Sequence, residues 1–272
     1  QISAIFDTRA LGYQSSLVAF RLAPERLDEA ASLVSLHPGV SHNYARDHSY
    51  NLWFTLALPP GEDMERAVAK LAQETGAESA LLLPALRVFK LQVYFDMVGD
   101  SSGDGPSKET SSPAATPALS PREIETIRAL QQDLSLESRP FQPLAQRMGC
   151  EEGELLKQAR DFLRRGLMRR YGVMLNHRRA GIHGNAMGCW AVPASRVEKV
   201  GQVMAAFKEV SHCYQRPIYP SWPYNMYTMI HATSREGCVM VARQVSQRTE
   251  IRDYVLLYST KEYKKDRIRY FA

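Results

Sequence analysis

VSHNYAR at residues 40–46 returns as VSHCYQR at residues 210–216, and this repeated stretch decides how the rest of the chain is divided. The surroundings of the two stretches also match. A proline opens a helical pattern ahead of each one, and a Tyr-Asn pair follows each one, beginning at Tyr50 and at Tyr224. Each copy is about 95 residues long, which is too long for a solenoid repeat. The sequence therefore predicts a duplicated domain.

Each copy shows the order strand, helix, strand, strand, helix, strand. Alternating apolar residues mark the strands, and proline and glycine mark the helix ends. The predicted elements of the first copy are 16–22, 24–36, 39–46, 50–58, 62–75 and 86–95. Those of the second copy are 185–192, 193–207, 210–216, 224–231, 234–248 and 252–258, with an extra basic strand at 265–271. This order predicts an α+β fold with two ferredoxin-like βαββαβ domains related by duplication.

Two further segments separate the copies. Residues 99–119 have almost no apolar side chain larger than alanine, so burial cannot offset their ordering entropy and a flexible linker is predicted. Residues 120–175 show three short helical patterns and then a β-wing, which is typical of a winged helix-turn-helix. The predicted domains are thus 1–98, 99–119 (linker), 120–175 and 176–272. Because residues 2–6 match the wing at 171–175, we expect a similar three-helix unit before residue 1.

The composition is that of a globular protein with a basic C-terminal part. Hydrophobic residues make up 44% and charged residues 23% of the 272 residues, and the net charge is +5. Residues 172–272 carry 15 Lys and Arg against 7 Asp and Glu, which predicts an anionic partner there. No apolar run approaches membrane-spanning length. Four scattered cysteines are typical of reduced thiols, so a cytoplasmic location is expected.

The repeated strand carries side chains suited to acid–base chemistry. Because successive strand residues alternate between faces, one face is predicted to carry four matched side chains in each copy. These are Val40, His42, Tyr44 and Arg46 in the first copy, and Val210, His212, Tyr214 and Arg216 in the second. Histidine transfers protons near neutral pH and arginine binds carboxylates, so the two histidines are the candidate catalytic residues. The alternative is a structural histidine in a half-buried strand.

Aromatic and basic side chains near these strands are candidates for contacts with a flat, anionic ligand. The aromatic candidates are Tyr50, Trp222 and Tyr224, the basic ones are Arg87, Lys90, Lys261 and Lys264, and two further histidines are His48 and His177. The alternatives are that the aromatic residues fill the core and that the basic residues protect a sheet edge from aggregation. No cluster of His, Cys, Asp and Glu has metal-ligand spacing, so no metal site is predicted.

The third helix of the winged unit has the wrong charge at its start for reading DNA. In this class of fold the N-terminal residues of that helix contact base edges. Here they include Glu151, Glu152 and Glu154, whose carboxylates would repel phosphates. DNA is therefore not the expected partner.

The arrangement of winged helix and βαββαβ domain resembles the leucine-responsive transcription regulators, and longer strings resemble one enzyme branch of that fold, the siroheme decarboxylases. In the first copy these strings are AIFDTRALGY at 4–13, HPGVSHNY at 37–44, YNLWFT at 50–55 and LPALRVFK at 83–90. In the second copy they are VSHCY at 210–214, WPYNMY at 222–227 and YSTKEYKK at 258–265. The resemblance implies two fused subunits, a pseudo-heterodimer within one chain that leaves room for a further homo-oligomer.

The resemblance also implies an activity, namely decarboxylation of the C12 and C18 acetate groups of siroheme to didecarboxysiroheme. Such a step belongs to heme d1 or to alternative heme biosynthesis, and it needs no cofactor beyond the iron of the siroheme substrate. His42 and His212 would be general acids, the Arg and Lys residues would hold carboxylates, and Tyr44 and Tyr214 would orient the acetate arms. Either imidazole could instead approach the iron. The two rival functions are an amino-acid-responsive DNA-binding regulator and a heme-binding protein without catalysis.

Overall fold

The computed structural model describes residues 2–91, 118–173 and 184–272. The strands are β1 (Ile2–Phe6), β2 (Gln14–Arg21), β3 (Val40–Arg46), β4 (Leu52–Leu58), β5 (Ser79–Pro84), β6 (Arg87–Leu91), β7 (Met168–Val173), β8 (Gly184–Trp190), β9 (Val210–Gln215), β10 (Met226–Ala232) and β11 (Tyr254–Lys265). The helices are α1 (Leu27–Leu36), α2 (Met64–Thr75), α3 (Pro121–Leu130), α4 (Gln142–Arg147), α5 (Glu152–Arg164), α6 (Val197–Ala205) and α7 (Arg235–Thr249). Among these helices, none has both the length and the apolar character that a bilayer span requires.

Local sequence signals explain where the helices begin and end. The carboxylate of Asp63 accepts hydrogen bonds from the first turn of α2, and Gly76 ends that helix with a left-handed φ of 68°. Ser120 and Glu123 form a reciprocal capping box at the start of α3. The predicted helices and the two central hairpins are therefore present, and both copies have the α+β, βαββαβ arrangement.

Each copy keeps its own closing strand and gives a further strand segment to the other copy. Nine strands are hydrogen-bonded in the order β5-β2-β4-β3-β11-β8-β10-β9-β6. Because β11 pairs with β3 and with β8 through different halves, it joins two sheets, one for each copy. The prediction that 86–95 closes the first copy is wrong, because β5 closes it beside β2, whereas β6 leaves to pair with β9 of the second copy. The predicted basic strand at 265–271 is also wrong. Its place is taken by β11, which runs on to Lys265 and pairs with β8 through its first half and with β3 through its second.

The two exchanged segments occupy matching positions. Arg87 lies opposite Gln215 of β9, and Lys261 lies opposite Ala45 of β3, with one bulge following in each case. Twelve residues allow β11 to serve two sheets, since a strand rises about 3.3 Å per residue. Each sheet therefore contains one strand segment from the other half of the chain.

Helices cover one face of each sheet, and the opposite faces, called here the inner faces, meet in a shared core. On the helix-covered faces, β4 contributes Leu52, Phe54, Leu56 and Leu58 to one core, and a corresponding core contains Trp190 and Ile230. The core between the inner faces joins residues of both copies, among them Trp53, Leu83, Cys189, Trp222 and Leu257. This layer is where the repeated strands present their polar side chains.

The C-terminal tail joins the winged unit to the rest of the molecule. β1 and β7 form a separate two-stranded antiparallel sheet, so the two segments that resemble wings in sequence pair with each other. Tyr270 is 7% exposed and lies in the core formed by α3, α4, α5 and this small sheet. The side chain of Gln131, the residue after α3, forms two hydrogen bonds with the backbone of Tyr270. It accepts from the N–H at 2.9 Å and donates to the carbonyl at 3.0 Å.

Candidate functional site on the inner faces

A β-bulge in each repeated strand decides which side chains reach the inner face. Val40 pairs with Leu56 and His42 with Thr55, so Ser41 has no opposite residue in β4. Val40 therefore packs in the helix-covered core, and Val210 does the same in the second copy. The prediction that each valine shares a face with its histidine is wrong, because alternation restarts after the extra residue.

His42, Tyr44 and Arg46 are brought together on the inner face as predicted. The ring centroids of His42 and Tyr44 are 6.2 Å apart, and the guanidinium carbon of Arg46 lies 5.9 Å from the Tyr44 ring. The second copy repeats the arrangement, with 6.0 Å between His212 and Tyr214 and 5.0 Å between Arg216 and the same tyrosine.

The Nε atoms of both arginines are buried, although Arg216 as a whole residue is half-buried where Arg46 is buried. Arg46 is 8% exposed, and burial lowers the pKa of both guanidinium groups. Each one crosses to the other half of the chain: Nη1 of Arg46 donates to the Leu257 carbonyl at 3.1 Å, and Nη1 of Arg216 donates to the Leu83 carbonyl. Nε of both is buried without a hydrogen-bond partner, and neither forms an ion pair with a carboxylate of the described residues.

The two imidazoles are neutral in the structure at pH 7. Burial lowers the pKa of His212 to about 4, with a further lowering from His231. Burial, followed by the charge of Lys265, also lowers the pKa of His42, against the opposing effect of Glu262. A neutral imidazole is a weak acid, so these groups need a nearby anion before they can donate a proton readily.

Serine hydroxyls hold Nδ1 of both histidines. Oγ of Ser41 lies 3.0 Å from Nδ1 of His42, and Oγ of Ser211 lies 2.7 Å from Nδ1 of His212. Ser211 also lies 2.7 Å from Nε2 of His231, which the sequence analysis did not select. The available signal was the serine that precedes the histidine in both copies, together with a further histidine on the next strand. Lys265 was predicted as part of a basic strand and Glu262 was not selected, and neither was predicted to lie beside His42, because β11 was not expected to reach β3.

Four predicted carboxylate-binding residues lie elsewhere, at the helix layer. Nζ of Lys90 donates to the Phe207 carbonyl at 2.7 Å, and Nζ of Lys264 donates to the Ser35 carbonyl at 2.8 Å, both at helix C-terminal ends. Arg87 pairs with a carboxylate of α6, and Lys261 pairs with a carboxylate of α1 at 2.8 Å. The structure therefore does not bring these four side chains together with His42 and His212. They fasten the exchanged strands to the helices.

The predicted aromatic walls form a closed cluster between the sheets. Trp222 is 1% exposed, and its ring lies 5.2 Å from His48, 5.6 Å from Tyr50 and 5.0 Å from Tyr224. The alternative that the aromatic residues fill the core applies to Trp222, because its loop folds onto β4 of the other copy and the ring is buried. His177 lies outside the described residues.

Two family models match the chain. The AsnC-like ligand binding domain matches residues 10–90 and again 179–264. The siroheme decarboxylase NirDL-like HTH domain matches residues 123–169. Together these matches cover both copies and the winged unit.

Similar proteins match over most or all of the chain. A siroheme decarboxylase of Hydrogenobacter thermophilus is 40% identical over 272 residues, covering 100% of this chain and 80% of its own. A siroheme decarboxylase beta subunit of Methanosarcina barkeri is 40% identical over 147 residues, which are 54% of this chain and 97% of that subunit. The crystal structure of the siroheme decarboxylase NirDL in complex with an iron-uroporphyrin III analogue superimposes with a TM-score of 0.78 at 34% identity, covering 100% of this chain and 79% of that one.

Proposed function

The chain belongs to the siroheme decarboxylase family, and from that premise we propose that it removes the acetate carboxyls at C12 and C18 of siroheme as CO2, giving didecarboxysiroheme. The family's activity makes the chain a carboxy-lyase. The observation that carries the proposal is the pair of buried guanidinium groups, Arg46 and Arg216, which have no carboxylate partner among the described residues. A buried cation without a counter-ion is costly, and an anionic substrate supplies the missing charge.

Siroheme fits these groups because it is a flat macrocycle with many carboxylate arms. Each guanidinium already donates one hydrogen bond to a carbonyl, its Nε has no hydrogen-bond partner, and a carboxylate is the anion that a guanidinium binds best. Tyr44 and Tyr214 lie against the same guanidinium groups and orient the acetate arms through their hydroxyls. The relative crystallised with an iron-uroporphyrin III analogue supports a ligand of this class.

The chemistry requires a proton at the carbon that loses CO2. When the C–C bond breaks, its electron pair stays on the acetate methylene and is delocalised into the conjugated ring, so the substrate itself is the electron sink. A proton then converts that carbon into a methyl group. His42 and His212 are the proposed donors, because both imidazoles lie on the inner faces beside the carboxylate-binding arginines.

Binding of the polyanion prepares these histidines for that task. Their pKa values are lowered in the structure mainly by burial. A nearby carboxylate favours the imidazolium and raises the pKa again. Substrate binding is therefore coupled to proton uptake towards acidic pH, whereas at higher pH the imidazoles stay neutral.

The two copies take the parts of two subunits in one chain. The beta subunit of Methanosarcina barkeri corresponds to only 54% of the residues here, which supports a fused pseudo-heterodimer. Each arginine of the site donates across to the other copy, so the proposed site depends on both. A homo-oligomer of such fused chains is compatible with this arrangement.

Anaerobic incubation with siroheme, followed by mass analysis over time, tests the proposal. Two successive losses of CO2 are expected from the wild type and from Arg269→Gln, an exposed matched control. Tight binding without loss of CO2 would instead identify a heme carrier, and a salt-dependent gel shift with a promoter duplex would identify a regulator. If His42→Ala and His212→Ala both retain wild-type turnover, the acid assignment is wrong.

A further inference from the structure

Ser211 bridges two imidazoles on the inner face of the second copy. Its Oγ lies 2.7 Å from Nδ1 of His212 and 2.7 Å from Nε2 of His231. The bulge makes this contact possible, because it leaves Ser211 opposite no residue of β10, with its side chain on the same face as His212. Ser211 is 8% exposed, so the three groups form a connected chain that is largely shielded from bulk water.

The hydrogen count of the hydroxyl restricts how the three groups are connected. A serine has one hydrogen to donate and two lone pairs to accept with. Between two imidazole nitrogens, the O–H donates to one ring while the other ring donates its N–H to Oγ. A hydroxyl held in this way passes a proton along by giving up its hydrogen as it accepts the next one.

The first copy lacks the second imidazole. Ala57 takes the place of His231, since their N–H groups donate to carbonyls at matching positions, Gly39 at 2.8 Å and Glu209 at 2.9 Å. The position that matches His231 therefore carries no imidazole that could hydrogen-bond to Ser41. His42 and His212 are equivalent in the repeat, but they differ in environment: His212 is linked through Ser211 to His231, and the first copy has Ala57 at that position.

Few other charged groups act on this chain of hydrogen bonds. On the strand beside β9, Arg87 pairs with Glu198 and Lys90 donates to the Phe207 carbonyl, both at the helix layer. Among the described residues, His231 is the one whose charge shifts the pKa of His212, in addition to burial.

We propose that Ser211 and His231 are positioning residues that form a proton relay to His212, an inference that rests on the proposed decarboxylation. His231 Nε2–H donates to Oγ, the hydroxyl donates to Nδ1 of His212, and Nε2–H of His212 remains for the substrate carbon. As that proton forms the new C–H bond with the electron pair of the broken C–C bond, the hydroxyl proton of Ser211 moves to Nδ1 of His212 and the Nε2 proton of His231 moves to Oγ, so the negative charge passes to His231. Once the product has left, solvent water protonates Nε2 of His212 and the two relayed protons move back, which restores the starting tautomers, so protons balance and no redox partner is needed.

Turnover as a function of pH tests the relay. In Ser211→Ala and in His231→Gln, Nδ1 of neutral His212 receives no proton when the Nε2 proton is lost, so the negative charge stays on His212. We expect kcat to fall on the order of tenfold at pH 8, with the deficit shrinking towards pH 6 and KM unchanged. Ser211→Thr restores a hydroxyl and should recover most of the rate. Gln244→Ala, at an exposed residue of α7 away from the inner face, is the matched control with wild-type kinetics.

A second measurement is independent of activity. Nitrogen-15 NMR of histidine-labelled protein without substrate should show His212 as the Nε2–H tautomer, and Ser211→Ala should mix the two tautomers. An active wild type whose Ser211→Ala and His231→Gln variants match it at every pH would overturn the relay. An Nδ1–H tautomer in the wild type would overturn it as well. An inactive wild type would overturn the decarboxylation, and the NMR result would then decide the hydrogen-bond order alone.

Discussion

Arg46 and Arg216 carry charges that the folded protein does not neutralise itself. A buried cation lacking an acidic partner costs folding free energy, and burial lowers the pKa of both groups for that reason. Each guanidinium nevertheless remains fixed, since it donates to a carbonyl of the opposite copy. Such an arrangement keeps a site ready for an anion at the expense of stability.

Replacing either arginine should weaken siroheme binding without lowering the stability of the folded protein. In Arg46→Gln and Arg216→Gln, the loss of one charge-assisted hydrogen bond should weaken siroheme binding by about 1.5–3 kcal/mol. The thermal midpoint should stay level or rise, because an uncompensated buried charge is removed. Absorbance titration and thermal unfolding measure the two effects. Unchanged affinity together with lower stability would mean that the arginines are structural.

His212 should make the protein sensitive to acid. Its pKa is about 4 in the folded state against an ordinary 6.5, so only the unfolded chain takes up this proton as pH falls below 6.5. The contribution to stability is therefore full above pH 6.5 and is lost as pH falls towards 4, by roughly 3 kcal/mol. Urea unfolding of wild type and His212→Gln across this range should show a shallower loss in the variant. Parallel curves would contradict the assignment.

At the scale of elements, the sequence predicts helix ends, which depend on local residues, and does not predict strand pairing, which depends on distant strands. The capping signals at Asp63 and Ser120 and the glycine at 76 identify helix ends because their effects act within one turn. The exchange of β6 is invisible in sequence, since an alternating strand pattern does not say which edge it will pair with. The bulge at Ser41 is equally hidden, and it reverses the face of Val40 while leaving His42 inward.

The lysines on the exchanged strands should matter for stability and not for substrate. Lys90 and Lys264 donate to carbonyls at helix C-terminal ends, where a positive charge also interacts favourably with the helix dipole. Lys90→Met and Lys264→Met should each lower the free energy of unfolding by about 1 kcal/mol in urea titrations, with siroheme affinity unchanged.

Lys70→Met provides the control for these variants. The ammonium of Lys70 lies 3.8 Å from Glu74 on an exposed face of α2, and such pairs contribute little to stability, within about 0.5 kcal/mol. If Lys264→Met weakens siroheme binding as much as Arg46→Gln does, the lysine belongs to the site after all.

At the scale of the whole molecule, the C-terminal tail fastens the winged unit. The Tyr270 ring lies 5.0 Å from Tyr13 and 6.2 Å from Phe6, and its hydroxyl is 2.7 Å from Oγ1 of Thr8. These contacts join residues from the two ends of the chain. Arg267, in the segment predicted to be a basic strand, donates a hydrogen bond to the hydroxyl of Ser3.

Tyr270→Ala should loosen the winged unit selectively. Removing a buried aromatic ring of this size costs about 3 kcal/mol, and the loss falls on the core that contains α3 and α5. Hydrogen exchange should therefore accelerate at amides of those two helices and stay unchanged in α6 and α7. Arg269→Ala, on the exposed neighbour, should leave exchange as in the wild type. Acceleration spread evenly over all helices would show that the tail stabilises the whole fold instead.

Because β6 and the second half of β11 each pair with the other half of the chain, the two halves hold each other in place. Cutting the backbone between residues 91 and 118 should leave fragments that co-purify, because parting them requires two strands to peel away together. Each fragment expressed alone would expose an unpaired strand edge and would tend to aggregate. A gene that encodes both halves in one reading frame guarantees equal supply, so neither is ever synthesised without its mate.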